Sequence, residues 1–280
     1  MRLGYSTNSI SDIDPIEALP ALEEMGYGSL AITLDHSLLN PFDVSLSADI
    51  ERWRTALAAC GMASVVETGA RHLLDPRLKH EPTLVSAAAE DRLRRVDFLR
   101  RAIDVAVELG ATSVSLWSGL VRDSADEETL WRRLAGGLAP VLEHARSRGI
   151  RLGFEPEPGM FIDTIARYRL LCERLAGGPE PDLTIDLGHM ECMGEWPVRD
   201  HLQAVAGRIV NVHLDDMLAC RHEHLPLGQG DVDLAAMLRL LAEIGYQGGV
   251  HVELPRQSHA WRTTAVESAA SVGRALGQIA

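Results

Sequence analysis

The stretch SRGIRLGFEP, from Ser147 to Pro156, contains the repeating unit that decides the fold. A long amphipathic run ends at Arg148, and Gly149 follows at the place where a left-handed residue typically closes a helix. A short apolar run comes next and ends in the acid Glu155. The same order of helix, glycine and short strand recurs in three further stretches, EEMGYGS (23–29), ELGAT (108–112) and EIGYQGG (243–249).

The spacing of apolar residues predicts eight such units along the chain. The predicted strands are Arg2–Ser6, Ser29–Thr33, Ala63–Glu67, Ser113–Trp117, Arg151–Glu155, Leu183–Asp186, Arg208–His213 and Gly249–Glu253. The predicted helices are Pro15–Met25, Leu46–Cys60, Asp91–Leu109, Glu127–Arg148, Ile162–Leu175, Val198–Val205, Leu234–Ile244 and Thr263–Leu276. Strands and helices in this alternation indicate an α/β protein with one (β/α)8 TIM barrel, a single domain over residues 1–280. A doubly wound sheet is the alternative, but YSTNSISDID (5–14) after the first strand lacks its glycine-rich phosphate loop.

The composition is that of a globular domain, with 46% hydrophobic and 24% charged residues. The net charge of -13 repels phosphate backbones, so nucleic acid is not an expected partner. The four cysteines form no CxxC pair, and we find neither a signal-peptide pattern nor an apolar run long enough for a membrane span. These features together predict a cytoplasmic protein.

Four consecutive predicted strands end in side chains that can bind a metal, namely Glu155, Asp186, His213 and Glu253. In a barrel these ends converge on the C-terminal rim, where active sites are built. Three carboxylates close together repel one another, and a divalent cation relieves that repulsion. The sequence therefore predicts one Mn²⁺, Mg²⁺, Co²⁺ or Zn²⁺ ion at this rim. The alternative is that each acid caps the helix that follows it.

Other candidates lie in the loops of the same rim. His189 is three residues beyond Asp186, and two long connections, 68–87 and 214–233, carry His72 and the pair His222 and His224. We interpret these histidines as substrate binders or further metal ligands. Trp117 could stack on a substrate or pack in the core, and the role of His251, two residues before Glu253, stays open.

The motifs GFEPEP, TIDLGH, NVHLDD, HLPLGQGDVD and HVEL resemble those of the xylose isomerase-like TIM-barrel superfamily. This superfamily includes sugar epimerases of the tagatose 3-epimerase type, hydroxypyruvate isomerases, inosose dehydratases and class II apurinic endonucleases. The resemblance covers the whole chain. It implies that Glu155, Asp186, His213 and Glu253 hold one metal and that the two glutamates are the acid/base pair. It also implies that His189, and Arg221 as the nearest match to a loop arginine, contact the substrate.

The resulting hypothesis is a metal-dependent isomerase or epimerase that acts on a small sugar or cyclitol derivative through an enediolate. A metal-dependent lyase or dehydratase would use the same first step, and a non-catalytic binding barrel is a third interpretation. The endonuclease branch is disfavoured, because SVSLWSGL (113–120) has Trp117 or Ser118 where that branch has a histidine. The sequence is compatible with a homo-oligomer.

Overall fold

The computed structural model describes residues 1–175 and 177–277, so positions 176 and 278–280 of the predicted 1–280 domain lie outside the described residues. The barrel strands are β1 (Arg2–Ser6), β2 (Ser29–Thr33), β3 (Ala63–Glu67), β4 (Ser113–Leu116), β5 (Arg151–Phe154), β6 (Asp182–Asp186), β7 (Ile209–Leu214) and β10 (Gly249–Val252). In the described part of the chain they form one closed barrel in the order β1-β10-β7-β6-β5-β4-β3-β2. The predicted (β/α)8 fold is confirmed.

The helices alternate with these strands as predicted. They are α1 (Pro15–Glu24), α2 (Leu46–Ala59), α3 (Ala89–Leu109), α4 (Glu127–Arg148), α5 (Ile165–Arg174), α6 (Leu187–Met193), α7 (Val198–Val205), α8 (Leu234–Glu243) and α9 (Trp261–Gly277). Two short strands, β8 (Asp216–Leu218) and β9 (Arg221–Leu225), pair antiparallel after β7.

Gly149 adopts the conformation expected for the end of α4. Its φ is 71°, in the left-handed region, and its N–H donates to the carbonyls of Ala145 and Arg146. β5 then begins at Arg151. Gly110 closes α3 in the same way, with a φ of 79°. A left-handed glycine ends the helix and lets the chain reverse direction into the next strand. The helix–glycine–strand pattern in the sequence therefore predicted the fold.

The structure corrects the predicted elements in three places. α6 begins directly after β6, where no helix was predicted. The connection after β7 contains the hairpin β8–β9 rather than an open loop. The predicted helix Ile162–Leu175 begins only at Ile165, because the hydroxyl oxygen of Thr164 accepts a hydrogen bond from the backbone N–H of Arg167 and so caps α5 at that point.

The chain divides into two compact units, which are described separately. One comprises Met1–Ile32, Thr55–Val65 and the chain from Leu183 onward, and the other comprises Thr33–Arg54 and Val66–Asp182. In the first unit, parallel pairing sets Gly4 of β1 beside both Ser29 of β2 and His251 of β10. His251 in turn pairs with His213 of β7. Polar side chains of β2, β10 and β7 are therefore brought into one row, with Gly4 of β1 between Ser29 and His251.

In the second unit, α3 and α4 pack together and β4 pairs with β5. The buried faces of the two helices carry Leu99 and Ile103 on α3 and Leu134 and Leu138 on α4. None of the helices in residues 1–175 and 177–277 is both long and apolar enough to cross a bilayer.

Candidate metal centre

Asp186 lies at the junction between β6 and α6 and uses its two carboxylate oxygens differently. Oδ1 accepts a hydrogen bond from the backbone N–H of His189 at 2.9 Å and thereby caps α6. Oδ2 is buried and has no hydrogen-bond partner among the described residues. The capping alternative is thus correct for Oδ1 only. A buried oxygen without a hydrogen-bond partner, such as Oδ2, indicates that a ligand binds there.

His213 and Glu253 face each other across the ends of β7 and β10. Nδ1 of His213 is 2.9 Å from Oε2 of Glu253. The second oxygen, Oε1, accepts a hydrogen bond from the side-chain amide of Asn8, which lies in the short 3₁₀ turn Thr7–Ser9 after β1. The carboxylate of Glu253 is consequently held in one orientation from both sides.

The charge states of these acids suit a cation. Burial acts to raise the pKa of Asp186, but the imidazoles of His189, His224 and His213 outweigh it and lower the pKa below its ordinary value. Burial likewise acts to raise the pKa of Glu253, and His213 is the main group that lowers it overall. Both carboxylates are therefore ionised at neutral pH, although Asp186 is buried and Glu253 is only partly exposed.

Asp186, His213 and Glu253 each offer one ligand atom, and these atoms lie within 4.8 Å of one another. Two ionised carboxylates, one of them that of Asp186, whose Oδ2 has no hydrogen-bond partner among the described residues, and one imidazole nitrogen form a donor set that Mn²⁺, Mg²⁺, Co²⁺ and Zn²⁺ accept. The residues present fit a divalent cation.

A second group of imidazoles adjoins this set. His189, His222 and His224 offer ring nitrogens within 4.8 Å of one another, and the rings of His189 and His222 lie 4.9 Å apart between centroids. Burial lowers the pKa of His189 to about 4, so its ring is neutral at physiological pH. The trio could bind oxygen atoms of a ligand or a further cation.

Asp215 orients the third histidine of this trio. Its carboxylate contacts Nδ1 of His224, and Asp215 is fully buried. Burial raises the pKa of Asp215 well above its ordinary value. Burial acts to lower the pKa of His224, but the contact with Asp215 outweighs it and raises the pKa to about 10. The pair therefore keeps a proton at neutral pH.

Asp216 builds the loop that carries these histidines. Its side-chain oxygens accept hydrogen bonds from the backbone N–H groups of Met217, Gly228 and Val232, at 2.8 to 3.0 Å. These bonds fix the start and the end of the connection after β7. Because β9 lies between the fixed points, His222 and His224 are presented by a folded hairpin.

The remaining predicted residues are placed as follows. Glu155 follows β5 directly, is buried, and donates its backbone N–H to the carbonyl of Leu116. Arg221 is exposed and pairs with Glu223 at 2.7 Å. His72 lies in a turn, where its carbonyl oxygen contacts the ring of His36.

Trp117 is 8% exposed, and its position favours the core interpretation. The guanidinium of Arg95 lies 4.4 Å from the ring centroid, and the ring of His80 meets it edge-on. Stacking of Trp117 on a sugar stays a prediction.

The sequence interpretation missed Asn8 as a partner of Glu253 and missed Asp215 altogether. Asp215 had a signal, since it stands two residues after His213 in NVHLDD. Asn8 had none, because its contact depends on how the turn after β1 meets the end of β10.

Residues 19–275 match the family model described as xylose isomerase-like TIM barrel. The chain belongs to this family. It is 29% identical over 215 residues to the L-ribulose-5-phosphate 3-epimerase UlaE of Shigella flexneri serotype 5b, covering 76% of this chain and 72% of that protein.

Solved structures share the fold. That of an L-ribulose 3-epimerase superposes with a TM-score of 0.78 at 23% identity, covering 99% of this chain and 95% of the other. That of an IolI protein with a bound zinc atom superposes with a TM-score of 0.76 at 16% identity, covering 100% and 98%.

Proposed function

We propose that this protein is a divalent-cation-dependent epimerase or isomerase of a small sugar or cyclitol derivative. The observation that carries the proposal is the cluster of Asp186, His213 and Glu253 at the ends of three adjacent barrel strands. The similarity to a curated sugar-phosphate epimerase supports this reaction class over the alternatives. A phosphorylated or free ketose is accordingly the first substrate class to test.

Glu155 is proposed as the fourth ligand and as the partner of Glu253 in proton transfer. The support is topological, since β5 adjoins β6 in the barrel and Glu155 follows β5 as Asp186 ends β6. Burial of Glu155 in the described structure also suits a carboxylate that neutralises a cation.

A bound divalent cation would polarise the carbonyl and the neighbouring hydroxyl of an open-chain sugar. The C–H proton on the carbon that bears this hydroxyl would become more acidic as a result. Glu253 is ionised and held by Asn8 and His213, so one of its carboxylate oxygens can accept that proton in a fixed direction. Glu155 would return a proton to the same carbon from the opposite face, which gives an epimer. Return to the adjacent carbon gives an isomer.

Recognition of the sugar is assigned to the hairpin and α6. His189 and His222 offer neutral or weakly basic imidazoles for hydroxyl groups, because burial lowers the pKa of both. Arg221 is exposed on β9 and adds a positive charge that could meet an anionic group.

The proposal is tested by turnover on a panel of ketopentoses, ketohexoses, their phosphates and inososes with Mn²⁺ added. E155Q and E253Q should each lower kcat by at least about 100-fold at saturating cation, because each removes a proton-transfer group. His259 lies outside the proposed site, so H259Q serves as the control and should keep full activity.

Product analysis separates the competing chemistries. A product of unchanged mass supports epimerisation or isomerisation, whereas loss of water identifies a dehydratase. A protein that binds no divalent cation at micromolar concentration contradicts the proposal and leaves a non-catalytic barrel.

A further inference from the structure

A chain of buried polar side chains lies behind His213, on the side away from Glu253. Nε2 of His213 is 3.1 Å from the amide nitrogen of Asn211, and Oδ1 of Asn211 is 2.8 Å from Nδ1 of His251. Nε2 of His251 is in turn 2.8 Å from the hydroxyl of Ser29. Each of these four residues is at most 2% exposed. We call Ser29, His251 and Asn211 the relay.

Two glycines leave the space that the relay needs. A Cβ atom on Gly4 would clash with the ring of His251, and a Cβ atom on Gly249 would clash with the same ring and approach the hydroxyl of Ser29. Glycine at both positions lets β1 and β10 accommodate a whole imidazole inside the sheet. The buried position of His251 therefore depends on glycine at positions 4 and 249.

The donors and acceptors of the relay have a direction. The Asn211 amide nitrogen can only donate, so Nε2 of His213 accepts, and the proton of a neutral His213 ring must sit on Nδ1, toward Glu253. By the same rule the proton of His251 sits on Nδ1, because Oδ1 of Asn211 can only accept. The hydroxyl of Ser29 then donates to Nε2 of His251.

If His213 binds a cation, hydrogen bonds in the relay must be donated in the opposite direction. Nδ1 is the ring nitrogen that faces Glu253, so it must give its lone pair to the cation, and the proton must sit on Nε2. Oδ1 of Asn211 would have to accept this proton, which requires rotation of the amide. The amide nitrogen would then donate to Nδ1 of His251, and the proton of His251 would move to Nε2 and be accepted by Ser29. In this second arrangement each facing ring nitrogen and both amide groups of Asn211 keep a partner within the relay.

We propose that Ser29, His251 and Asn211 are positioning residues that orient His213 for cation binding, and that binding reverses the direction of hydrogen bonding through the whole relay. The inference rests on the proposed function. It deepens that proposal by assigning a role to His251 and Asn211, which lie behind the cation ligands. Ser29 suits the end of the relay because a hydroxyl can both donate and accept.

The test is the tautomeric state of His251, read from the ¹⁵N shifts and two-bond couplings of the imidazoles in ¹⁵N-labelled wild-type protein. Spectra are compared with EDTA and with Zn²⁺ or Mg²⁺, whose diamagnetism preserves the signals. We expect the proton of His251 to move from Nδ1 to Nε2 when the cation binds. Cation binding without a change of the His251 tautomer overturns the relay but leaves the proposed function standing, whereas no cation binding contradicts both.

Variants give an independent readout in cation affinity. N211A should weaken Zn²⁺ binding about 10–100-fold in calorimetry, the range known for loss of groups that orient metal ligands. S29A should weaken it in the same direction, because the N–H of His251 would lose its acceptor. S113A is the matched control, since Ser113 is equally buried in a barrel strand and its hydroxyl has no hydrogen-bond partner among the described residues. Equal affinities for S29A and S113A would contradict the relay.

Discussion

Asp186 shows how one side chain can serve both the fold and the site. Its Oδ1 caps α6, which any good helix-capping residue could do. Its Oδ2 is left buried without a hydrogen-bond donor among the described residues, while the nearby imidazoles keep the carboxylate ionised and therefore suited to a cation. Substitutions that keep the cap but remove the charge therefore distinguish the contribution of Asp186 to stability from its contribution to cation binding.

D186N and D186A make this separation. Asparagine caps helices as well as aspartate does, so D186N should unfold within about 0.5 kcal/mol of the wild type in EDTA, whereas D186A should lose about 1 kcal/mol. Both variants should lose at least about 10-fold in Mn²⁺ affinity, because neither supplies an ionised carboxylate. Urea unfolding and calorimetry measure the two effects. Unchanged Mn²⁺ affinity in D186N would show that Oδ2 is not a ligand.

His80 gives a second prediction at the scale of the residue, concerning pH. Its Nδ1 donates to the carbonyl of Gly69 at 2.6 Å, and burial lowers its pKa from 6.5 to about 4. Between about pH 6.5 and pH 4, His80 therefore binds a proton in the unfolded chain but not in the folded protein. Stability from this group is complete above pH 6.5 and declines as the pH falls toward 4, by at most about 3 kcal/mol.

The comparison variant for this prediction is H80N. Asparagine tolerates the positive φ of position 80, which is 69°, and keeps a donor for Gly69 without titrating. Urea unfolding at pH 7, 6 and 5 should show the wild type losing stability relative to H80N as the pH falls. Parallel curves would refute the assignment.

At the scale of elements, α6 and the hairpin β8–β9 hold the histidines of the site against β6 and β7. Gly188 makes this packing possible, because a Cβ at this position would clash with Asp215 and Met217. The helix can thus lie directly on the residues that follow β7. This close approach also keeps Asp215 in contact with His224.

G188A should therefore destabilise the protein by about 1–3 kcal/mol and weaken cation binding, because α6 must move away from Asp215. Gly273 in α9 offers the matched control, since a Cβ added there would meet nothing within 4 Å and the residue is exposed. G273A should stabilise by about 0.5–1 kcal/mol through helix propensity. Shifts of the same sign in both variants would contradict this account of Gly188.

The sequence predicted the barrel elements well because each strand and helix has its own periodicity and a glycine between them. α6 escaped prediction because it is seven residues long, begins without a linker after β6, and has glycine at its second position. β8 and β9 escaped because DML and RHEHL lack alternating apolar residues. Their pairing depends on Asp216, whose three backbone hydrogen bonds no local pattern reveals.

The same distinction applies to the site. Strand-end residues such as Asp186 and Glu253 could be predicted, because the barrel topology brings all strand ends to one rim. The relay could not be predicted, since the contact of His251 with Asn211 and Ser29 depends on strand register and on the space left at Gly4.

At the scale of the whole molecule, the closed barrel and the family membership agree with a site at the strand ends. The net charge of -13 would repel an anionic substrate, so the proposed contact of such a substrate with Arg221 on the hairpin stays a prediction. The single-domain organisation, the cytoplasmic location and a homo-oligomeric state stay predictions.

The measurement that tests the central claim most directly is solvent deuterium incorporation. Cation-loaded protein in D₂O should convert a ketose or ketose phosphate into a product of the same composition that carries one carbon-bound deuterium, as seen by mass spectrometry and NMR. Exchange should stop with EDTA, return with added cation, and be lost in E253Q at saturating cation. Exchange that persists in E253Q or without cation, or no exchange with any sugar of the panel while cation is bound, would contradict the claim.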